Sequence, residues 1–253
     1  MTGISEAYDV WADCYERLYP SVDRASHEHR RSIGRKLEET VSPGRRVIEV
    51  GCGIGLCTIA LAELGYDVVG IDISGASLDR ARGLLGERGL SAELHREDIL
   101  NSPEVGPADA VIGIGSLLAH MTTRRKQEAA VRAMADMLEP GGTLLLGLHD
   151  YATLLVRERD DAFTPTIHVR HARGETIFFQ RRRWRGNPRS RVHRCTHYLI
   201  LDKKRLRTIT MQSRAITQKE VTEILTAAGL RDIHWLPPAE TGYYQPLCAA
   251  RKT

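Results

Sequence analysis

At 253 residues the chain is too long for a bare helical module and too short for two full domains, so one large domain, or one domain with an insertion, is expected. Its 42% apolar and 27% charged residues exclude a disordered, fibrous or membrane-embedded polymer. With 36 basic against 32 acidic side chains the excess is only +4, so any anion-binding face must come from local clustering.

The opening stretch MTGISEAYDV carries acids, and no run of eighteen apolar residues occurs anywhere, so neither a signal peptide nor a transmembrane span is expected. Five cysteines without a C-x-x-C spacing predict neither a disulfide framework nor a metal site, and make a reducing cytoplasm the default location. Ile4, Tyr8, Trp11, Ala12, Tyr15 and Leu18 recur at helical spacing, which predicts an aromatic-faced helix stopped by Pro20. A second helix, from about Ala25 to Thr40, should end at the turn Ser42-Pro43-Gly44.

From there short apolar runs alternate with helical stretches. The strands VIEV, DVVGI, AELH, DAVIGI and TLLLGL are separated by LCTIALAEL, ASLDRARGLLGERG, a loop region and TRRKQEAAVRAMADML, with Gly141-Gly142 as the turn into the fifth strand. Such repetition predicts an α/β fold with a Rossmann-like, doubly wound, mostly parallel sheet. Past Tyr151, TIHVRH, ETIFFQRRRW, RVHRCTHYLIL and RLRTITMQSRA read as hairpin strands around Gly174, Gly186-Asn187-Pro188 and Asp202-Lys203-Lys204. The helix TQKEVTEILTAAG, with Thr217 and Glu220 spaced as a capping box, then leads to two last strands near DIHWL and YQPLCAA. Residues 1–150 and 215–253 should therefore form one domain with an N-terminal helical lid, and 151–214 an antiparallel β insertion between the fifth strand and the last helix.

The segment EVGCGIG places Gly51, Gly53 and Gly55 between the first strand and its helix, where a ligand can approach the backbone at a helix N-terminus. The dinucleotide pattern G-x-G-x-x-G fails because Leu56 holds its last position. Glu49, two residues before the first glycine, would repel a pyrophosphate but suits an ammonium group. S-adenosylmethionine carries that group and no phosphate. Asp72 after the second strand can accept ribose hydroxyls, and Asp98 after the third is placed for an adenine amino group. Each acid alone would be read as a turn or cap residue; three at consecutive strand ends point to one ligand edge.

Through VIEVGCGIG, GIDIS and EDIL, residues 45–150 resemble the class I S-adenosylmethionine-dependent methyltransferases. Through GSLLAHM, GLHDYATLL, AITQKE and TGYYQP the chain is similar to the glycine and sarcosine N-methyltransferase branch and related small-molecule, amino-sugar N-methyltransferases. The resemblance implies a cofactor site of Tyr15, Glu49, Gly51, Cys52, Gly53, Asp72, Ile73, Asp98, Ile99 and Gly115, with Tyr15 near the sulfonium. It implies His120 and Tyr15 at the methyl-transfer centre, and Tyr19, His120, His149 and Tyr243 against the acceptor.

Two departures bear on that acceptor. Gly115-Ser116-Leu117 stands where the glycine enzymes read G-N-S, and His149 stands where they carry an arginine. Arginine grips a carboxylate bidentately and histidine does not, so an amine other than free glycine is expected, from a specialised metabolite such as an amino sugar or amino acid derivative. Glycine or sarcosine is the alternative acceptor.

His120 has the residue type to position an amine or take its proton, since imidazole titrates near neutrality. Aromatic rings at Tyr8, Trp11, Tyr15 and Tyr19 could cover a sulfonium or simply pack; Tyr15 is the one assigned to the site. Of the neighbours Tyr243 and Tyr244, one should face the site and the other the interior. Nine arginines between Arg170 and Arg194 face the single acid Glu175. A solvated face is the usual explanation; a phosphate-bearing acceptor, or RNA stacked on Trp184, are the sharper ones. No N-P-P-Y or D-P-P-Y segment follows the fourth strand, which argues against nucleic acid as substrate. The partners expected are thus a small-molecule amine, no membrane, and either no subunit or a second copy of the chain.

Overall fold

In the computed structural model, which describes residues 3–115, 117–157, 162–184 and 191–253, the N-terminal helix α1 (Ile4–Tyr15) ends in a 3-10 turn before Pro20. The single helix expected from Ala25 to Thr40 is interrupted: α2 (Val22–His29) runs through a π turn, Arg30–Gly34, into α3 (Arg35–Glu38). The cause is local. Ser32 Oγ donates to the carbonyl of Glu28 (2.7 Å), and Gly34 admits Leu64 where a Cβ would collide with it.

The alternating region then supplies β1 (Arg46–Val50), α4 (Leu56–Glu63), β2 (Asp67–Asp72), α5 (Gly75–Gly86), β3 (Glu93–Arg96), β4 (Ala108–Gly113), α6 (Leu117–His120), α7 (Arg124–Asp136) and β5 (Leu138–Gly147). Gly141-Gly142 lies within β5, at a register shift against β4, and is not a turn ahead of the strand. After α8 (Tyr151–Arg157) come β6 (Ala162–Phe163), β7 (Ile167–His171), β8 (Gly174–Trp184), β9 (Val192–Leu201) and β10 (Arg205–Arg214). The chain closes with α9 (Gln218–Ala227), β11 (Leu230–Leu236), α10 (Pro238–Thr241) and β12 (Leu247–Lys252). The capping box at α9 forms: Glu220 N–H donates to Thr217 Oγ1 (3.3 Å) and Thr217 N–H to the Glu220 carboxylate (2.9 Å).

The larger sheet has the order β11-β12-β5-β4-β1-β2-β3, with β12 antiparallel to both its neighbours and the other pairs parallel. Successive side chains point to opposite faces of a strand, so Ile48, Val69, Val111 and Leu144 pack beneath α7 and α9. Val47, Val68, Ala110 and Leu145 pack beneath the π turn, α3 and α4. Both faces are covered, as a parallel sheet requires.

The smaller sheet, β10-β9-β8-β6 with β7 paired to β8, is antiparallel. Its inner face meets α1 through Phe178, Leu199, Ile209 and Met211 against Ala7, Trp11 and Cys14. The turn expected at Gly186-Asn187-Pro188 lies outside the described residues. No helix among the described residues is long and apolar enough to cross a membrane.

Candidate active site

The glycine loop leaves β1 with Gly51, Gly53 and Gly55 at φ of 72°, 55° and 82°, and Gly115 after β4 has φ of 72°. These left-handed conformations favour glycine, and a Cβ at Gly53 or Gly115 would meet open space. Beneath the loop Glu49 is 2% exposed and accepts a hydrogen bond from Thr58 Oγ1 (2.6 Å). No cation pairs with it among the described residues. Burial pushes its carboxyl up to about 7, with the nearby Asp72 charge adding to the effect. A buried acid with neutral partners under an open cradle fits a ligand that brings an ammonium group. Asp72 is held from both sides, Gly53 N–H donating to Oδ2 and Ser74 N–H to Oδ1, each at 2.8 Å. Each oxygen retains a lone pair for a ribose hydroxyl. Burial nonetheless raises its carboxyl above the usual range.

Asp98 caps the 3-10 turn Ile99–Asn101, its Oδ1 accepting from Leu100 N–H (2.9 Å), which is the structural role weighed for it. Cys52 and Ile99 are 5% and 3% exposed, their side chains directed into the core, so only their backbone groups can line the cofactor site. The Ile73 carbonyl accepts from Ser5 Oγ (3.0 Å), tying α1 to the end of β2. Asp9 makes a second tie, accepting from Ser74 Oγ (2.6 Å) and Ala76 N–H (3.3 Å) at the start of α5.

Alpha-helix α1 thereby lies across the C-terminal edge of the parallel sheet and brings tyrosines to it. Tyr15 and Tyr19 have ring centroids 5.8 Å apart, and both hydroxyls are held protonated, Tyr15 by burial first and Tyr19 by Tyr15 first. Tyr8, packing that periodicity could not separate from function, reaches His120: its hydroxyl is 2.7 Å from Nε2 and the rings meet edge-on at 5.5 Å. Nδ1 of His120 faces the Gln212 carbonyl (3.4 Å), which assigns the proton to Nδ1 and makes Nε2 the acceptor of the Tyr8 hydroxyl. Burial raises the Tyr8 phenol, and Asp72, Tyr15, Tyr244 and Tyr151 add to it in that order, so these groups converge.

Four histidines share this region. His120, His149, His193 and His197 are each lowered to about 4, in every case first by burial, with Arg182 opposing protonation of the last three. The expectation that His120 titrates near neutrality is corrected: its imidazole is neutral and acts as a hydrogen-bond acceptor, not as a proton store. His149 follows β5, and Gln245 Nε2 donates to its Nε2 (3.0 Å). Of the neighbouring tyrosines, Tyr243 is 5% exposed and packs in the core against His29, whereas Tyr244 is 63% exposed with its ring 6.4 Å from His149. Tyr244, and not Tyr243, is therefore the member of the pair on the open side beside His149.

The arginine run divides by strand parity. Arg181 and Arg183 alternate with Gln180, Arg182 and Trp184, and the latter set shares the inner face with His193 and His197. Trp184 is 5% exposed, packed against His193, so stacking on RNA bases is ruled out. Ser116, Arg185 and Arg189 lie outside the described residues. Arginines that the sequence reading passed over, Arg205 and Arg207, line a groove of about 420 Å³ with Arg17, Asp9 and Asp13, beside α1.

Residues 47–142 match the family model of a methyltransferase domain. A ribosomal protein L11 methyltransferase of Symbiobacterium thermophilum is 33% identical over 134 residues, 53% of this chain and 40% of that one. A ubiquinone biosynthesis O-methyltransferase of Xanthomonas campestris is 36% identical over 106 residues, 41% of this chain and 43% of that one. The matches span about two fifths of the length of these curated relatives. Among solved structures, CalS10 of Micromonospora echinaspora, an amino pentose methyltransferase of calicheamicin biosynthesis, aligns with TM-score 0.75 at 23% identity, covering 96% of this chain and 97% of that one. The sugar N-methyltransferase KedS8 of a Streptoalloteichus species aligns with TM-score 0.68 at 19% identity, covering 100% and 95%. The glycine cradle, the acids at the strand ends, the domain match and the full-length superpositions agree: this chain has the class I methyltransferase fold.

Proposed function

We propose that the chain is an S-adenosylmethionine-dependent N-methyltransferase whose acceptor is the amine of a small specialised metabolite, such as an amino sugar or amino acid derivative. When bound, S-adenosylmethionine supplies a methyl group on a positively charged sulfur. Glu49 would hold its ammonium group, Asp72 its ribose and Asp98 its adenine, with the rings of Tyr8 and Tyr15 excluding water around the charge.

The observation that carries the choice of nitrogen is the neutral state of His120 and His149, lowered to about 4 by burial. An alcohol needs a base to become a nucleophile, and such imidazoles are poor bases. A neutral amine needs none, and the same desolvation that keeps the histidines uncharged favours the uncharged amine. Tyr8, donating its proton to His120, presents an oxygen lone pair that accepts an N–H of the amine and orients it. Alignment, worth large effective molarities, is then the main contribution of the protein. The amino-sugar and sugar N-methyltransferase superpositions support the acceptor class.

A phosphate on the acceptor would meet Arg205 and Arg207 in the groove beside α1, where Arg17 pairs with Asp202 and the carboxylates of Asp9 and Asp13 in the same lining oppose it. Incubation with labelled cofactor and a panel of free amines, nucleotide-linked amino sugars, glycine, sarcosine and RNA tests the whole reading. Label on nitrogen is expected; label on oxygen alone overturns it, and label only on glycine or sarcosine moves the acceptor to that branch. For a nucleotide-linked amine, Arg205→Ala with Arg207→Ala should raise KM, more so as salt is lowered.

A further inference from the structure

Two polar atoms on the inner face of the antiparallel sheet lack a hydrogen-bond partner among the described residues: Nε1 of Trp184 and Nδ1 of His193. Their side chains are 5% and 3% exposed, and β8 and β9 pair these two residues directly. Leaving a buried donor or acceptor unmade costs roughly 1–3 kcal/mol, so an adjacent pair implies that something else completes them. The pair also sits at the end of a wall of rings. Trp184 and His193 have centroids 5.0 Å apart, His193 and Tyr151 5.9 Å, Tyr151 and His149 5.9 Å. The wall thus starts at the edge of the parallel sheet, where methyl transfer is placed, and ends at the two unpartnered atoms.

We infer that Trp184 and His193 form a hydroxyl-binding subsite of the acceptor pocket, so that the amine methylated by this chain carries a hydroxyl on the same small ring or chain. The chemistry of the two groups selects that class. Indole N–H only donates, and a neutral imidazole has one N–H and one lone pair. A hydroxyl accepts from the first and either donates to or accepts from the second, whereas an ammonium group offers nothing to the indole. Burial first, and then the positive charge of Arg182, two residues before Trp184 on the same face, disfavour the protonated form of His193. The inference rests on the amine reading above and adds the group that selects among amines.

The test compares cyclohexylamine with 2-, 3- and 4-aminocyclohexanol, which differ from it by one hydroxyl. At least one aminocyclohexanol should exceed cyclohexylamine about tenfold in kcat/KM, as expected of one to two neutral hydrogen bonds, and Trp184→Phe or His193→Leu should bring that ratio near one. A merely structural role would lower both amines alike and leave the ratio unchanged, which overturns the inference. The indole N–H resonance missing from Trp184→Phe identifies Trp184 in the wild-type spectrum. It should shift on titration with the preferred aminocyclohexanol and not with cyclohexylamine. Because this readout needs no turnover, failure to methylate any amine would remove the N-methyltransferase reading while the resonance still decides the subsite. An equal shift with both amines, no shift with any, or a shift with inorganic phosphate or acetate in their place overturns the hydroxyl assignment.

Discussion

Glu49 shows how one buried carboxylate can do work that an exposed one cannot. Its carboxyl, pushed up to about 7, is half protonated near neutrality until a cation arrives. A ligand ammonium favours the ionised form, so cofactor binding should release a proton below pH 7, and affinity should climb as pH rises to 7 and then level. Calorimetry in two buffers of different ionisation enthalpy reads both the affinity and the proton. Glu49→Gln keeps the volume, should flatten this pH dependence, and should weaken binding roughly tenfold to a hundredfold, the worth of one charged hydrogen bond. Tyr8 gives a second residue-scale expectation. Tyr8→Phe removes the 2.7 Å bond to His120 while leaving the ring in place. It should cut kcat by about tenfold, as one neutral hydrogen bond would, with cofactor affinity changed little. Equal losses in kcat and cofactor affinity would move Tyr8 from the acceptor to the cofactor.

At the scale of elements, α1 is the piece that turns a sheet edge into an enclosed site. It is tied to the β2–α5 corner by Ser5 and Asp9, to α6 by Tyr8, and to the antiparallel sheet by Trp11, whose ring lies 4.8 Å from His197. The 3-10 turn that follows is clamped by Glu16, which accepts from Nε and Nη2 of Arg80 at 2.6 and 2.8 Å. Asp9→Ala should therefore loosen the helix without touching the cofactor directly. Faster amide exchange across residues 4–15 and a several-fold rise in cofactor KM are expected, and unchanged exchange would show that Asp9 does not hold the helix down. The glycine loop is the complementary rigid element. Gly55 has φ of 82°, and a Cβ there would lie 3.0 Å from Ala81 Cβ, so Gly55→Ala should cost at least about 1 kcal/mol in stability and displace the cradle.

Over the whole molecule, the enclosed histidines make acid stability a property of the site. His120, His149, His193 and His197 hold folded values of about 4 against 6.5 for the free group. Between those limits the unfolded chain binds more protons than the folded one, so stability falls as pH drops from about 6.5 to 4. A single histidine as deeply buried as His193 accounts for roughly 3 kcal/mol across that window at most. Glu49 opposes the trend by about as much as one of the four histidines contributes, because its raised value makes the folded state bind the extra proton between 4.5 and 7. The melting temperature should drop steeply between pH 6.5 and 4, and His193→Gln should shallow the slope; a melting curve flat over that range would refute the neutral-histidine account on which the amine reading leans.

The alternation of strand and helix was legible in the chain because hydrophobic periodicity and turn chemistry are local. The left-handed glycines after β1, the acids at successive strand ends and the Thr217–Glu220 cap needed only neighbours within a few residues. Other features depended on what packs from far away in sequence. Period two told that Arg182 and Trp184 part from Arg181 and Arg183, but which parity faces inward is set by the layer opposite; Tyr243 and Tyr244 lie outside any strand, and although one is buried and the other exposed, their rings pack 4.6 Å apart instead of diverging. The π turn before α3 arises because Gly34 meets Leu64, thirty residues on. Tyr8 and His120 are 112 residues apart, and their contact exists only once α1 folds over the sheet edge. Residue type marked histidine as a base near neutrality; enclosure by two sheets and a helix, a long-range result, made the four imidazoles neutral, since desolvation is a property of the packed molecule and of no local segment.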